Sequence, residues 1–179
     1  MPTIISHAAV PLALGIGLGE KRIPRALLIA GIAASMLPDA DVILFRFGAT
    51  YDDVWSHRGF AHSLGFALMV ALAAAHLLRK AAPSFVSATF IFVSIASHGL
   101  LDMLTSGGHG VAIFWPVTAD RYFYNWRPIQ VAPIVGPEFI GRFTSRATAL
   151  LRTEVLWIWL PAAIVAVVLR LWRKEKIAR

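Results

Sequence analysis

Five apolar blocks, separated by shorter polar segments, set the pattern of this chain. They are residues 4–19, 26–37, 59–78, 84–104 and 155–172. A helix of about 20 apolar residues crosses the hydrocarbon core of a bilayer, and the last three blocks have that length. The second block ends at Pro38, where a helix breaks or kinks, and apolar residues resume at 42–47. The pattern predicts an all-α, polytopic membrane protein with about five transmembrane helices, and residues 1–179 form a single domain.

The segment between the fourth and fifth blocks, residues 105–154, has a different character. It contains many glycines, prolines and aromatic residues, which is typical of a structured loop at the level of the lipid headgroups. Within it, apolar residues recur at helical spacing from Phe139 to Leu151, with arginines between them. This spacing predicts an interfacial helix. Residues 173–179 form a basic tail.

Composition supports the membrane interpretation. Hydrophobic residues make up 58% of the 179 residues, whereas soluble domains average roughly 45–50%. The chain has no cysteine, which excludes disulfides and thiolate metal ligands. The net charge is +7, but the basic residues cluster beside apolar blocks, at 21–25, 79–80 and 170–179. That placement indicates topology determinants rather than a nucleic-acid surface, so we expect no nucleic-acid partner.

The basic clusters also predict an orientation. If the tail is cytoplasmic, five crossings put all three clusters on the cytoplasmic side, as the positive-inside rule requires. The opposite, extracytoplasmic side then receives the N-terminus and residues 39–58 and 105–154. Eight histidines and aspartates from five regions lie at or near that side: His7, Asp39, Asp41, His57, His62, His98, Asp102 and His109. Their convergence predicts an active site that faces outward.

His98 and Asp102 carry the clearest chemical signal. They are four residues apart in an apolar block, so a helix places them on one face. An ionisable pair inside a membrane segment is costly, and a bound metal ion makes it favourable. Imidazole and carboxylate ligands suit zinc, and also manganese or iron. The alternative for this pair is a helix–helix hydrogen bond inside the bundle.

Further candidate metal ligands flank the other blocks. His57 and His62 lie on either side of a glycine turn, and both could reach one cavity. Asp39 and Asp41 alternate after a proline, so one carboxylate could bind a metal while the other orients a ligand. His7 begins the first block. The alternatives are histidines that simply prefer the headgroup zone and acids that are solvated at a helix end.

Catalytic and substrate-binding roles are assigned by position on the same side. Asp41 or His109 could orient a water molecule or protonate a leaving group. Arg58 and Arg127 could bind a phosphate with their planar guanidinium groups, although both also suit headgroup anchors. His76 lies beside Arg79 and Lys80, so we interpret it as an interfacial residue outside the site.

The order of these motifs resembles the YdjM-like family of inner-membrane-associated proteins, which are described as metal-dependent hydrolases. The motifs are Ser6-His7, Pro38-Asp39-x-Asp41, His57-Arg58-Gly59-x-x-His62-Ser63, Ser97-His98-x-x-x-Asp102 and Phe114-Trp115-Pro116. The resemblance covers about residues 1–130. It implies a location in a bacterial inner (plasma) membrane.

The family in turn looks similar to the bacterial zinc-dependent phospholipases C, which are all-helical. By motif order, this resemblance implies five metal-binding positions: His7, Asp39 or Asp41, His57 or His62, His98, and Asp102 as a bridging carboxylate. Those enzymes hold a third metal through a later histidine pair, and no histidine follows His109 here. They also use the mature amino terminus as a ligand, and no signal cleavage is evident here. We therefore expect one or two ions, with zinc preferred.

The expected function is hydrolysis of a phosphoester in a membrane lipid or a lipid-linked phosphate. Two other readings use the same residues. The first is a non-enzymatic membrane interaction or regulatory protein with a structural metal site. The second is a metal or proton transporter with His98 and Asp102 as a relay. The sequence argues against a transporter, because the ionisable residues gather at one face and no series of polar residues continues across the membrane past His76.

Overall fold

The computed structural model describes residues 1–133 and 139–178, and these residues are predominantly helical. A 3-10 segment, Ile4–Ala8, leads into helix α1 (Ala9–Leu18). The remaining elements are α2 (Arg25–Met36), a 3-10 segment (Leu37–Phe47), a 3-10 turn (Phe60–His62), α3 (Leu64–Leu77), α4 (Ser84–Met103), α5 (Phe139–Glu154), a π-helical segment (Val155–Trp159) and α6 (Leu160–Ala178). The loop after α4 carries two isolated β-bridges, Thr105 with Ile129 and Val111 with Tyr122. The predicted all-α class is confirmed.

Three helical stretches in the described part of the chain are long and apolar enough to cross a membrane. They are Arg25–Phe47, Ser84–Met103 and Arg146–Lys176. The helices at Ile4–Leu18 and Leu64–Leu77 are shorter and also apolar. The third predicted block is therefore shorter as a helix than its sequence suggests. Its first residues form a turn, and the Ser63 side chain accepts a hydrogen bond from the Phe66 amide and caps α3.

The break predicted at Pro38 is present as a change of helix type. The α-helix ends at Met36, and the chain continues as a 3-10 segment to Phe47. Proline lacks the amide hydrogen that a continuing α-helix needs. Runs of 3-10 helix longer than 3–4 residues are uncommon, and such a stretch within a helix often marks a functional hinge or a sequence under strain. This run carries both Asp39 and Asp41.

The end of the chain differs from the sequence-based expectation. The predicted interfacial helix and the last span form one continuous helical stretch, in which α5 passes through the π-helical segment into α6. The apolar spacing predicted a helix within α5, and the structure adds that this helix continues without a break into the last span. No proline or glycine interrupts residues 142–160, so nothing in this stretch stops the helix.

The helices alternate in direction along the chain from α1 to α4, and α6 runs parallel to α1. This arrangement brings the site together. α2 and α3 pack on α4, and α1 packs on α6. The core between them contains Leu27, Phe90, Ile91 and Ile95, with the small residues Ala67 and Ala71 on α3. The starts of α1, α3 and α6 therefore lie at the same end as the ends of α2 and α4. The loop after α4 folds over this end through hydrogen bonds from Ala112 to Arg58 and from Leu64 to Ile113.

Candidate metal centre

Five buried side chains from four separate segments meet at this end of the bundle: His7, Asp39, His62, His98 and Asp102. Their side chains are at most 1% exposed. The approach of α4 to the 3-10 turn before α3 depends on Gly99. A Cβ atom at this position would lie 2.5 Å from the carbonyl oxygen of His62. A glycine therefore permits the contact that brings His62 beside His98.

One group of ligand atoms surrounds the Nε2 atom of His98. This nitrogen lies 3.1 Å from Nε2 of His62 and 3.3 Å from Oδ1 of Asp39. His62 Nε2 and Asp39 Oδ1 are 3.7 Å apart. Ligands at about 2.1 Å from a tetrahedral zinc ion lie about 3.4 Å from each other. The three atoms are therefore spaced like ligands of one cation.

A second group lies on the other side of the two carboxylates. His7 Nε2 is 3.7 Å from Oδ1 of Asp102 and 3.9 Å from Oδ2 of Asp39. The other oxygen of Asp102, Oδ2, is 3.6 Å from His62 Nε2. Asp39 and Asp102 thus each present one oxygen toward His62 and the other toward His7. His7, Asp39 and Asp102 would therefore be available to hold a cation on this side as well.

The polar atoms of this cluster fit a metal ion because other partners are missing among the described residues. Both ring nitrogens of His7 and both carboxylate oxygens of Asp39 are buried and make no hydrogen bond there. A buried polar group without a partner costs about 1–3 kcal/mol, and more when it is charged. A divalent cation would satisfy these atoms together. The described residues therefore form His and Asp groups that could hold a metal ion.

Outer contacts orient the histidine rings. Nδ1 of His98 donates a hydrogen bond to the carbonyl oxygen of Ser35 at 2.7 Å, which leaves its Nε2 lone pair for the cluster. Nδ1 of His57 donates to Oδ1 of Asp41 at 2.8 Å. The other oxygen of Asp41 lies 3.1 Å from Nδ1 of His62. The positions of the two acids thus indicate which one is placed as a metal ligand. Asp39 faces the cluster, whereas Asp41 contacts the imidazole rings of His57 and His62 from outside it.

The neighbouring carboxylates shift the pKa values of His57 and His62, which lie outside the spans, to different extents. Burial lowers the pKa of His62, but the neighbouring Asp39 and Asp41 outweigh burial and raise that pKa to about 9. Burial is the dominant influence on His57 and lowers its pKa, although Asp41 opposes the shift. A cation at the cluster therefore competes with a proton on His62, whereas His57 is neutral near pH 7.

Arg58 supports the site from inside the protein. Its Nε lies 3.2 Å from Oδ2 of Asp102. Its terminal nitrogens donate to the carbonyl oxygens of Gly107 and His109 and to the Thr105 hydroxyl, at 3.1, 2.6 and 2.8 Å. The residue is 2% exposed. This differs from the phosphate-binding role that the sequence suggested, because the guanidinium group is committed to Asp102 and to the loop after α4.

A cavity of about 410 Å³ lies beside the cluster. Phe45, Tyr51, His57 and Arg58 line it, together with His109. The exposed ring of His109 stacks on Tyr51 with centroids 4.7 Å apart. His57 is the residue that joins the cavity to the cluster, since one of its nitrogens also lies within 4.8 Å of ligand atoms of Asp39 and His62.

Two further predicted residues lie away from the cluster. Arg127 is exposed, and its guanidinium carbon lies 4.8 Å from the ring centroid of Phe123. The residue does not line the described cavity. His76 is exposed near the end of α3, at the opposite end of the bundle, and its ring contacts Arg79. The structure therefore keeps His76 outside the site, as its sequence position indicated.

Three supporting residues were missed by the sequence reasoning. Ser35 contributes only a backbone carbonyl oxygen, for which no sequence signal exists. Thr105 was visible as the residue that follows the fourth block, and its hydroxyl contacts Arg58. Glu154 is an isolated acid after several arginines, directly before an apolar block. It is 2% exposed and binds the segment before His7.

Comparison with known proteins identifies the family. Residues 1–177 match the family described as YdjM inner membrane protein. The chain is also 44% identical over 178 residues to the inner membrane protein YbcI of Escherichia coli (strain K12), with 98% of this chain and 100% of that protein covered. No solved structure matches, so the likeness to phospholipases C rests on motif order alone. The family and this relative are both named as inner membrane proteins, and the chain belongs to the YdjM inner membrane protein family.

Proposed function

We propose that this protein is a membrane-bound, metal-dependent hydrolase that cleaves a phosphoester of a lipid or lipid-linked substrate at the extracytoplasmic face. The observation that carries the proposal is the buried histidine–aspartate cluster, whose ligand atoms lie 3.1–3.9 Å apart. Ionisable residues inside a membrane protein are costly and point to function. The cluster also adjoins a cavity large enough for a small ligand.

The metal in this proposal is zinc, as one or two ions, and manganese or iron suit the same donors. The residues that would hold it are His7, Asp39, His62, His98 and Asp102. A bound zinc ion supplies a water of lowered pKa, about 7, and stabilises negative charge on phosphoryl oxygens. The number of donor atoms in these five side chains would suffice for one ion or two.

His57 is the proposed group for proton transfer. Asp41 fixes its Nδ1, and its Nε2 has no hydrogen-bond partner among the described residues. Because burial lowers the pKa of His57, this nitrogen carries a free lone pair near pH 7. It can accept a proton from water at the wall of the cavity. His109, at the mouth of the same cavity, is placed to protonate a leaving group.

The outward orientation rests on the distribution of charge in the fold. The turn between α1 and α2 meets the last turns of α6 at the end opposite the cluster, where the Arg22 guanidinium lies over the Trp172 ring. This end also carries the basic residues of the tail. Positively charged ends of membrane helices remain in the cytoplasm. The cluster and its cavity then open to the headgroup level of the outer side, where a lipid phosphate would be in reach.

The test is hydrolysis by the full chain in detergent. A chromogenic phosphodiester and a short-chain phospholipid would be incubated with the zinc-loaded protein, with a chelator, and after zinc is restored. We expect turnover that the chelator abolishes, that His98→Ala removes, and that His76→Ala leaves unchanged. A well-folded protein that binds zinc and hydrolyses neither substrate would contradict the proposal.

The complete burial of the five ligands favours a second candidate, a membrane interaction protein with a structural metal site. A structural site is closed by protein ligands, whereas a catalytic site keeps an open position. Cobalt(II) loaded into the site separates the two. Inorganic phosphate changes the visible absorption of cobalt in an open site and leaves a closed site unchanged.

A further inference from the structure

Glu154 is a buried acid far from the cluster in sequence that contacts the segment preceding His7. One carboxylate oxygen accepts hydrogen bonds from the hydroxyls of Thr3 and Ser6, each at 2.7 Å. The other oxygen accepts the backbone amide of Thr3. Glu154 is 2% exposed. Its charge is thus satisfied entirely by residues 3–6, immediately before the histidine that closes one side of the cluster.

Trp159 completes this contact from the same helix. Its indole Nε1 donates to the Ser6 hydroxyl oxygen at 3.0 Å. The Ser6 hydroxyl therefore receives a hydrogen bond from Trp159 and donates one to Glu154. Both the position and the rotation of residue 6 are fixed, and residue 7 follows directly along the chain.

The π-helical segment explains how two residues five apart reach one hydroxyl. In an α-helix, positions five apart point about 140° away from each other. Between Glu154 and Trp159 the helix widens, and the Leu160 amide donates to the Val155 carbonyl oxygen five residues earlier. This π geometry brings the two side chains to the same side of the helix. π-segments inside α-helices occur frequently at functional sites.

We propose that Glu154 is a positioning residue for the metal centre, which acts through Ser6 to hold His7 against Asp39 and Asp102. The imidazole of His7 makes no hydrogen bond with the described residues, and its ring stacks on His98 with centroids 3.5 Å apart. Its orientation toward the two carboxylates therefore depends on the backbone that precedes it. This inference rests on the proposed metal-binding function of the cluster.

The consequence is that the continuous helical stretch from α5 to α6 contributes to metal binding without supplying a ligand. α1 packs against α6, and Ala9, Ile129 and Ile158 form a small core beside this contact. This packing holds Glu154 level with residues 3–6. Groups that orient metal ligands from outside typically change metal affinity about 10- to 100-fold when they are removed. We expect that range for Glu154.

The experiment measures Zn²⁺ affinity of the full chain in detergent by competition with a chromophoric chelator, and the visible spectrum with Co²⁺. We expect Glu154→Gln to weaken Zn²⁺ binding about 10- to 100-fold and to give a Co²⁺ spectrum like that of His7→Ala. Glutamine has the same shape, but its amide nitrogen cannot accept from a hydroxyl. Glu20→Gln is the matched control, since Glu20 is exposed and pairs with Arg25 at the opposite end.

The outcomes test the positioning role of Glu154 separately from the proposed metal-dependent function. Wild-type affinity and spectrum in Glu154→Gln would overturn the positioning role while leaving the metal site intact. A lower melting temperature with unchanged Zn²⁺ affinity would overturn it as well, because the role would then be purely structural. If Glu154→Gln does not fold, Ser6→Ala carries the same test. A wild-type protein that binds no Zn²⁺ would refute the proposed function itself.

Discussion

Gly99→Ala is the sharpest test of how the helices build the cluster. A Cβ atom at this position would lie 2.5 Å from the His62 carbonyl oxygen and 3.0 Å from Cδ1 of Ile113. Real Cβ atoms essentially never approach another atom within 3.0 Å. Because the blocking atom is backbone, α4 and the turn that carries His62 must separate by about 0.5 Å or more.

A movement of that size exceeds what a metal site tolerates. Metal–ligand distances vary by only about 0.2 Å around their preferred values. His62 Nε2 is 3.1 Å from His98 Nε2, and the two nitrogens would move apart. We expect Gly99→Ala to lower Zn²⁺ affinity at least about 10-fold and to lower stability by about 1–3 kcal/mol through overpacking.

The assay combines Zn²⁺ competition with thermal unfolding followed by circular dichroism. Gly31→Ala is the matched control, because a Cβ atom there would collide with the Phe90 ring between α2 and α4, in the core. We expect Gly31→Ala to lose similar stability while its Zn²⁺ affinity stays close to that of the wild type. Unchanged Zn²⁺ affinity in Gly99→Ala, or an equal loss in both variants, would refute the reasoning.

Three further predictions concern the groups around the cluster. Asp41→Asn should weaken Zn²⁺ binding about 10- to 100-fold, since the amide no longer orients both His57 and His62; competition titration measures this. In the wild type, Zn²⁺ affinity should rise about tenfold per pH unit between pH 7 and pH 9 and then level off, because the metal displaces the proton from His62, whose pKa is about 9. Arg58→Lys should destabilise the protein by about 1–3 kcal/mol, because one ammonium cannot pair with Asp102 and also satisfy the buried acceptors of the loop.

Each of these three predictions has a direction, so a specific result would contradict it. The raised pKa of His62 stabilises the metal-free fold below its unfolded value of about 6.5, and this contribution disappears as pH rises through about 9. A Zn²⁺ affinity that is flat from pH 7 to pH 9 would show that His62 holds no displaceable proton. Arg58→Lys with wild-type melting temperature would show that the buried ion pair is not needed for stability, and Asp41→Asn with unchanged affinity would separate Asp41 from the cluster.

The sequence by itself determined the class of fold. It also determined which residues lie at the end of the bundle that holds the cluster. Apolar blocks of helical length predicted the helices, and the turns between them put alternate helix ends on one side. His98 and Asp102, four residues apart, had to share a face of α4. The same alternation brought His7, Asp39 and His62 to that end, since each lies at the start or end of a block. These are consequences of local periodicity and chain direction, which a sequence encodes directly.

Only the tertiary structure decided which of those residues face one another. Asp39 and Asp41 are equivalent in sequence, but the 3-10 geometry after Pro38 directs one toward the cluster and the other toward the outer nitrogens of His57 and His62. Arg58 looked like a phosphate ligand, but it is buried against Asp102. Glu154 reaches residues 3–6 across 148–151 positions of sequence. Such contacts depend on helix packing and on the local helix type, and neither has a signature in the pattern of apolar positions.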